Sequence, residues 1–410
     1  MTILRTFDSH LRYNLLVLFA AGLLFWASLA SLLPTLPIYL ESVGANKQQI
    51  GIVMGSFAIG LLLFRPRLGR LADERGRKIV LLIGIIATAI APLGYLFFKS
   101  IPLLMVVRAF HGISIAAFAT GFNTLVVDIA PVDKRGEIIG YMSLVNPIGV
   151  ALGPALGGFL QAEVGNEVLF LISAELAFVA LLGTIPIVNP PVTKLPKTNQ
   201  GNPQFWRILI SPRVRTPSII MLLVGLVFGA LHTFVPLYIR ETGIELNPGL
   251  FYTAAAASSF SMRIFTGRAS DRLGRGLFIT LSLVFYTISM VLLWMARDTT
   301  LFLLAAVVEG AASGTLIPMI TSLMADRAQP HERGKIFAIC LMGLDIGIAI
   351  AGPVIGFAAQ EVGYRTLFGL SALLTLLAIF IFLTQSNKDL RSSLRFSLGR
   401  DLDDYALKQI

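Results

Sequence analysis

Twelve apolar stretches, each long enough to cross a bilayer, alternate with short charged punctuation along almost the whole chain. A spanning helix needs about 20 mostly apolar residues, because the hydrocarbon layer is roughly 30 Å thick and a helix rises about 1.5 Å per residue. By that rule the spans are 14–40, 48–68, 78–98, 101–127, 136–161, 167–188, 216–239, 249–267, 277–296, 299–325, 335–360 and 365–385. Composition agrees: only 14% of residues are charged and the mean hydropathy is +0.78, whereas soluble domains are about a quarter charged. The expected fold is an all-α membrane protein.

The net charge of +10 does not point to a nucleic acid, because the basic residues lie in short clusters between apolar runs rather than on one aromatic-laced stripe. They report topology instead. With a cytoplasmic N-terminus, 27 of the 33 Lys and Arg fall on the cytoplasmic side. Lys47, Lys99, Arg240, Arg297 and Arg365 fall opposite, and Arg108 is left inside a span. That bias places both termini inside, in an inner or plasma membrane. Arg5 and Arg12 precede an apolar run that exceeds the roughly 7–15-residue core of a cleaved signal peptide, so the first span is expected to stay. The single cysteine, Cys340, permits no intrachain disulfide and no cysteine metal site, so packing in lipid has to hold the fold.

The charged punctuation Gly69-Arg70-Leu71-Ala72-Asp73-Glu74-Arg75-Gly76-Arg77-Lys78 returns as Gly267-Arg268-Ala269-Ser270-Asp271-Arg272-Leu273-Gly274-Arg275. Gly69, Asp73, Gly76 and Arg77 each match a residue 198 positions on. Arg65 and Arg263 keep the same offset, as do Asp128 with Arg135-Gly136 and Asp326 with Arg333-Gly334. Pro37-Ile38-Tyr39 and Pro236-Leu237-Tyr238, and Gly153-Pro154 and Gly352-Pro353, are 199 apart. The chain therefore reads as a duplication, with six spans in 1–188 and six in 216–385, in the same orientation because six is even. Between them, 189–215 carries Pro190, Pro191, Pro196, Gly201 and Pro203 and reads as an extended cytoplasmic linker. Phe205, Trp206, Ile208 and Leu209 beside Arg207 and Arg213 fit either a short surface helix or a plain tether. The tail, 386–410, mixes basic residues with Asp401, Asp403 and Asp404 and is expected to lack regular structure.

These features together resemble the major facilitator superfamily over spans 1 to 12, as two pseudo-symmetric six-helix bundles. The segment Gly69–Lys78 is similar to the superfamily's loop 2–3 signature G-x-L-A-D-R-x-G-R-K, with Glu74 where a base is usual. Glycines there permit a tight turn, and Asp73 beside a helix start meets the positive end of its dipole. The resemblance implies a conformational latch made by Asp73, Arg77 and Asp128, with Arg135 and the copies Asp271, Arg275, Asp326 and Arg333 as its counterparts. In span 4, Arg108-Ala109-Phe110-His111-Gly112 is similar to R-x-x-Q-G, which implies a part in proton coupling. An arginine roughly 10 Å into hydrocarbon costs at least about 3 kcal/mol and should face the protein interior. Arg108 and His111, three apart, share a helix face, and the His adds a group able to titrate near neutral pH. In span 5, Gly149, Gly153, Pro154, Gly157 and Gly158 match the drug:proton antiporter motif G-x-x-x-G-P-x-x-G-G at every fixed place. Small residues four apart let helices approach closely, and Pro154 allows a kink.

The remaining polar residues inside spans are the functional candidates. A buried carboxyl with no counter-charge takes up a proton, which is what a proton carrier must do. Asp345 in span 11 is the first candidate and Glu309, 198 residues after His111, the second; Glu175 in span 6 ranks below both. By resemblance, spans 1, 4, 7 and 10 line the cavity, with Trp26, Ser31, Tyr39, Phe118, Asn123, His232, Thr233, Tyr238, Ser313 and Thr315 on offer. That set suits a neutral or amphipathic organic solute. Two membrane histidines on separate helices make no convincing metal site. The lack of a G-x-x-x-x-G-K-[ST] segment removes ATP as the driver on this chain, and no nucleophile–base pair suggests an enzyme. The expected function is proton-coupled efflux of a small organic solute by a monomer in membrane lipid, without cofactors. The alternatives are an exporter of a sugar, metabolite or metallophore, or a proton-coupled importer of the same fold.

Overall fold

In a bilayer a backbone amide has no water to bond, so a single spanning segment has to satisfy its own N–H and C=O groups as a helix. A computed structural model of the chain, which describes residues 9–131, 134–187, 203–329 and 333–407, contains only helices as regular structure among those residues. They are α1 Ser9–Ser31, α2 Leu36–Ser42, α3 Lys47–Arg75, α4 Arg77–Phe97, α5 Ile101–Ile129, α6 Arg135–Met142 and α7 Val145–Thr184. The second repeat follows with α8 Pro203–Ile210, α9 Pro212–Glu241, α10 Pro248–Leu273, α11 Arg275–Met295, α12 Thr299–Arg327, α13 Arg333–Gln385 and α14 Leu390–Ser397.

Nine helical stretches among the described residues are long and apolar enough to cross a membrane. Two of them, Arg135–Thr184 and Ile336–Gln385, run to 50 residues and hold two expected spans each. They break at Gly165 (φ 83°, ψ 178°) and Gly363 (φ 76°, ψ 166°) without any separate loop. The twelfth span is α10, whose serines and Arg263 dilute its apolar character. Twelve spans in two six-helix bundles result.

Close packing divides the chain into two units. One comprises Met1–Ala45, Ile52–Lys197 and Asn247–Thr253, the other Asn46–Gly51, Thr198–Leu246 and Ala254–Ile410. In the first, α1 lies along α7 and α4 along α5, around a core of Leu18, Phe25, Phe118, Phe122 and Leu125. Phe25 and Phe118 stack with ring centres 3.7 Å apart. Lipid tails are as apolar as leucine, so helix pairs gain by close backbone approach rather than by burial from water. Gly60 faces the Ala109 carbonyl, Gly112 that of Phe57, and Gly84 the backbone of Phe118, in each case leaving no room for a Cβ. The second unit repeats the plan with α9 along α13 and α11 along α12. There Gly225 faces Leu344, Gly343 faces Ser218, and Gly310 and Gly314 face Ala255 and Ser259.

The duplication is written into the backbone as well. Every described residue with positive φ is a glycine, and six of the seven form pairs: Gly44 with Gly243, Gly76 with Gly274, and Gly165 with Gly363. The offsets are the same 198 or 199 residues as in the sequence repeat. Only Gly399, in the tail, stands alone. The tyrosines that follow the paired prolines repeat as well. Tyr39 Oη donates to the carbonyls of Tyr95 (2.7 Å) and Phe98 (3.5 Å), and Tyr238 Oη to that of Ala296 (3.4 Å), 198 residues after Phe98.

The connection and the tail refine the sequence reading. Helix α8 supplies the short helix that was one of two expectations for the end of the linker; residues 188–202 and the side chains of Phe205 and Trp206 lie outside the described set. The tail is a correction: it is not structureless. Helix α14 is opened by Asp389, whose Oδ1 accepts from Ser392 N at 2.8 Å, and the N–H and hydroxyl of Ser392 hold that carboxyl below the usual carboxylate range. Phe396 is buried, with its ring 6.1 Å from that of Phe382 on α13. Mixed charge suggests disorder, but Ser393, Phe396 and Ser397 are buried, and Asp403 has a buried partner.

Candidate functional site

At the α3–α4 junction Gly76 adopts φ 108°, ψ 154°, a conformation essentially confined to glycine. The turn delivers Arg77, the first residue of α4, back onto the end of α3 and across to α5. Its Nη1 donates to Asp73 Oδ1 (2.8 Å) and to the Ala72 carbonyl, and its Nε lies 3.3 Å from Asp128 Oδ2. Asp73 is 71% exposed, and such pairs are worth about 0–1 kcal/mol, so this triad sets geometry more than stability. In the second unit Gly274 (φ 88°, ψ 141°) makes the same turn, and Arg275 Nε meets Asp326 Oδ2 at 2.6 Å. The side chains of Asp271 and Arg333 lie outside the described ones. Arg135 opens α6 half-buried, and a Cβ at Gly69 would meet nothing within 4 Å.

Arg108 and His111 come together on α5 as their spacing requires. Both are buried, at 6% and 0% exposure. His111 Nδ1 receives Arg108 Nη1 at 3.4 Å and Tyr95 Oη at 3.2 Å. A guanidinium only donates, so Nδ1 is an acceptor and the ring proton sits on Nε2. The Arg108 guanidinium stands 4.5 Å from the ring centre of Phe57 on α3, a cation–π contact. His111 Nε2 and Arg108 Nε are buried without a hydrogen-bond partner among the described residues. Tyr95, from α4, is the member that the sequence did not reveal. Nothing in its local pattern separates it from an ordinary aromatic residue at a span end.

The glycine motif of α7 resolves into one ridge. Gly149 meets Trp26, Gly153 meets Ala27 and Ala30, and Gly157 meets Ser31, all on α1. Buried Pro154 follows Gly153 inside the helix, while Gly158 is buried on another face. In the second unit the corresponding seam shares its glycines between two helices: Gly225 and Gly229 on α9, Gly343 and Gly347 on α13.

Glu309 on α12 and Asp345 on α13 are both buried, at 8% and 9% exposure. Ser313, one turn after Glu309, donates to the Gly310 carbonyl at 3.3 Å. Ser313 and His232 are half-buried, the imidazole 3.9 Å from the ring of Phe228. Trp26 is half-buried against Phe25 and Phe118, and Asn123 is exposed. Tyr39 and Tyr238 are 7% and 3% exposed and are committed to backbone carbonyls, which makes them bolts between helices. Glu175 is exposed at a groove of about 410 Å³ lined by Ile86, Ile90, Leu93 and Phe178.

Two repeated bundles of apolar helices, each with buried charged or titratable side chains, define a membrane transporter built by duplication. The family model described as Major Facilitator Superfamily matches residues 18–268 and 245–399. The quinolone resistance protein NorA of Staphylococcus aureus (strain COL) is 26% identical over 354 residues, covering 83% of this chain and 89% of that protein. The multidrug resistance protein MdtG of Rahnella sp. (strain Y9602) is 24% identical over 378 residues, covering 88% and 91%. Among solved structures, the nucleoside transporter NupG superposes with a TM-score of 0.77 at 17% identity, covering 90% of this chain and 97% of that one. An inward-facing bacterial homolog of the human lysosomal transporter Spinster gives 0.76 at 15%, covering 96% and 99%. The chain belongs to the Major Facilitator Superfamily; it is an integral membrane transporter and not an enzyme.

Proposed function

We propose that this protein exports a small organic or amphipathic solute in exchange for protons, by alternating access, from a membrane in which both termini are cytoplasmic. The observation that carries the reading is the pair of buried carboxyls, Asp345 and Glu309, in a unit that places both away from solvent. A carboxyl there alternates between a neutral form suited to its surroundings and an ionised form that must be offset, which couples its proton to a conformational change. Asp345 is assigned as the carrier, with Glu309 as its second and charged Arg108 with its neighbour His111 as the counterpart in the first repeat. Likeness to two drug-resistance proteins over most of each chain supports the solute class and the outward direction. The glycine ridge of α7 on α1 supports the same reading, since it reproduces the antiporter motif as a working helix seam. The Asp73–Arg77–Asp128 triad and its Arg275–Asp326 counterpart act as the conformational latch, formed in one state of the cycle and loosened in the other.

The test uses everted vesicles with an imposed pH gradient, and ethidium and a fluorescent quinolone as probes. Wild type is expected to accumulate a probe when the interior is acidic. Asp345→Asn is expected to lose gradient-driven accumulation while keeping exchange of probe across the vesicle wall. Gradient-driven accumulation at the wild-type rate in Asp345→Asn removes it as the carrier, and accumulation that ignores the pH gradient in wild type removes proton coupling.

A further inference from the structure

Arg327, the last residue of α12, has a fully buried side chain, yet the matching place in the first repeat, 198 residues earlier, holds Ile129. A buried guanidinium with no counter-charge is untenable, and here the tail supplies it. Arg327 Nε donates to Asp403 Oδ2 at 2.6 Å and Nη2 to Asp403 Oδ1 at 2.9 Å, a two-pronged pair. Nη2 also donates to the Ser386 carbonyl (2.7 Å) and Nη1 to that of Arg213 (2.9 Å). The ring of Tyr405 covers the guanidinium at 5.1 Å. Asp403 is itself only 8% exposed and accepts from Tyr405 N, so the tail is folded around this one charge.

The same tail touches every helix end that carries the second signature copy. The Ser397 carbonyl accepts from Thr280 of α11 at 2.8 Å, and the Phe396 carbonyl lies against Gly276, where any side chain would strike it. Gly399, at φ 70°, sits against the Leu273 carbonyl at the end of α10. Leu407 N donates to the Asp326 carbonyl at 2.9 Å, and Asn387 is tied to Leu402 and Asp404. The Arg275–Asp326 pair therefore stands between two helix ends that the tail clasps together.

We propose that Asp403 is a positioning residue for transport: by neutralising buried Arg327 it docks residues 396–407, and the docked tail fixes the Arg275–Asp326 pair. The device belongs to the second repeat alone, because Ile129 needs no counter-ion. The link to transport rests on the reading of Arg275–Asp326 as part of the latch. The docking itself does not.

The experiment uses the full chain in liposomes. Amide hydrogen exchange is followed in peptides covering 270–280 and 322–329, together with ethidium efflux. Three variants are compared: Asp403→Asn, Arg327→Ile with Asp403→Asn, and Arg275→Gln. Asp403→Asn strands a buried charge and is expected to speed exchange in both peptides on the order of a hundredfold. The double variant removes both charges, as Ile129 does in the first repeat, so it is expected to fold in wild-type amounts. It should still show fast exchange at 270–280 and a several-fold lower maximal efflux rate at an unchanged half-saturating concentration. Wild-type exchange at 270–280 in both tail variants overturns the proposal, as does wild-type efflux in the double variant when Arg275→Gln is impaired. If exchange quickens but Arg275→Gln exports normally, the latch reading fails and the positioning of the pair by the tail stands.

Discussion

Gly157→Ala adds one methyl group at the tightest point of the α1–α7 seam. A Cβ there would lie 2.7 Å from the carbonyl carbon and 2.8 Å from the Cα of Ser31, and nearer still to its oxygen, where ordinary contact begins at 3.4 Å. All three atoms are backbone, so none can swing aside. The oxygen sets the requirement, so the helices have to part by more than about 1 Å, which forfeits at least about half of each dispersion well along the seam. Overpacking of this kind costs about 1–3 kcal/mol, and the better helix propensity of Ala returns at most about 1 kcal/mol. The expected net loss is therefore about 1–2 kcal/mol. Gly140→Ala in α6, where a Cβ meets nothing within 4 Å, is the control and is expected to gain up to about 1 kcal/mol. Equilibrium unfolding in mixed micelles, with both variants at matched lipid content, measures the difference. A Gly157→Ala protein as stable as the Gly140→Ala protein would refute the claim that the antiporter motif exists to bring these two backbones together.

Two further outcomes follow from the geometry. Gly76→Ala and Gly274→Ala each force a side chain into a glycine-only turn and are expected to cost about 1–3 kcal/mol apiece, by nearly equal amounts because the two turns share one conformation; unequal costs in the same unfolding assay would break the equivalence. His111→Phe leaves the donors of Tyr95 and Arg108 without their acceptor, at about 1–3 kcal/mol, and adding Tyr95→Phe is expected to cost less than that substitution does alone. A double-mutant cycle reads the coupling, and additivity within about 0.5 kcal/mol would mean that no such network exists.

Much of the molecule was legible from residue order, for identifiable reasons. Span length depends on hydrocarbon thickness alone, so the apolar runs announce themselves, and α10 falls short of the usual apolar standard because of the arginine and serines in it. Arg108 and His111 were paired correctly because three residues on a helix fix one face. The pairing of Arg77 with Asp128 came from resemblance, and the structure supplies its geometry. Tyr39 and Tyr238, expected to line a cavity, turned out to bolt helix ends, because an aromatic with a hydroxyl reads the same whether it meets a solute or a carbonyl. The fold of the tail is hidden in the sequence for a similar reason. Its charges look solvated until Arg327, 76 residues upstream, is seen to be buried beneath them.

Sequence by itself determined the class of fold, the duplication and the places where the backbone has to turn, because each depends on short-range rules: hydrophobic length, the freedom of glycine, and helical spacing. Tertiary structure alone decided which helix each glycine ridge meets, that Tyr95 completes the Arg108–His111 cluster, and that Asp403 answers Arg327. Those are contacts between segments far apart in the chain, and nothing in the local pattern of either partner encodes the other until the bundle is packed.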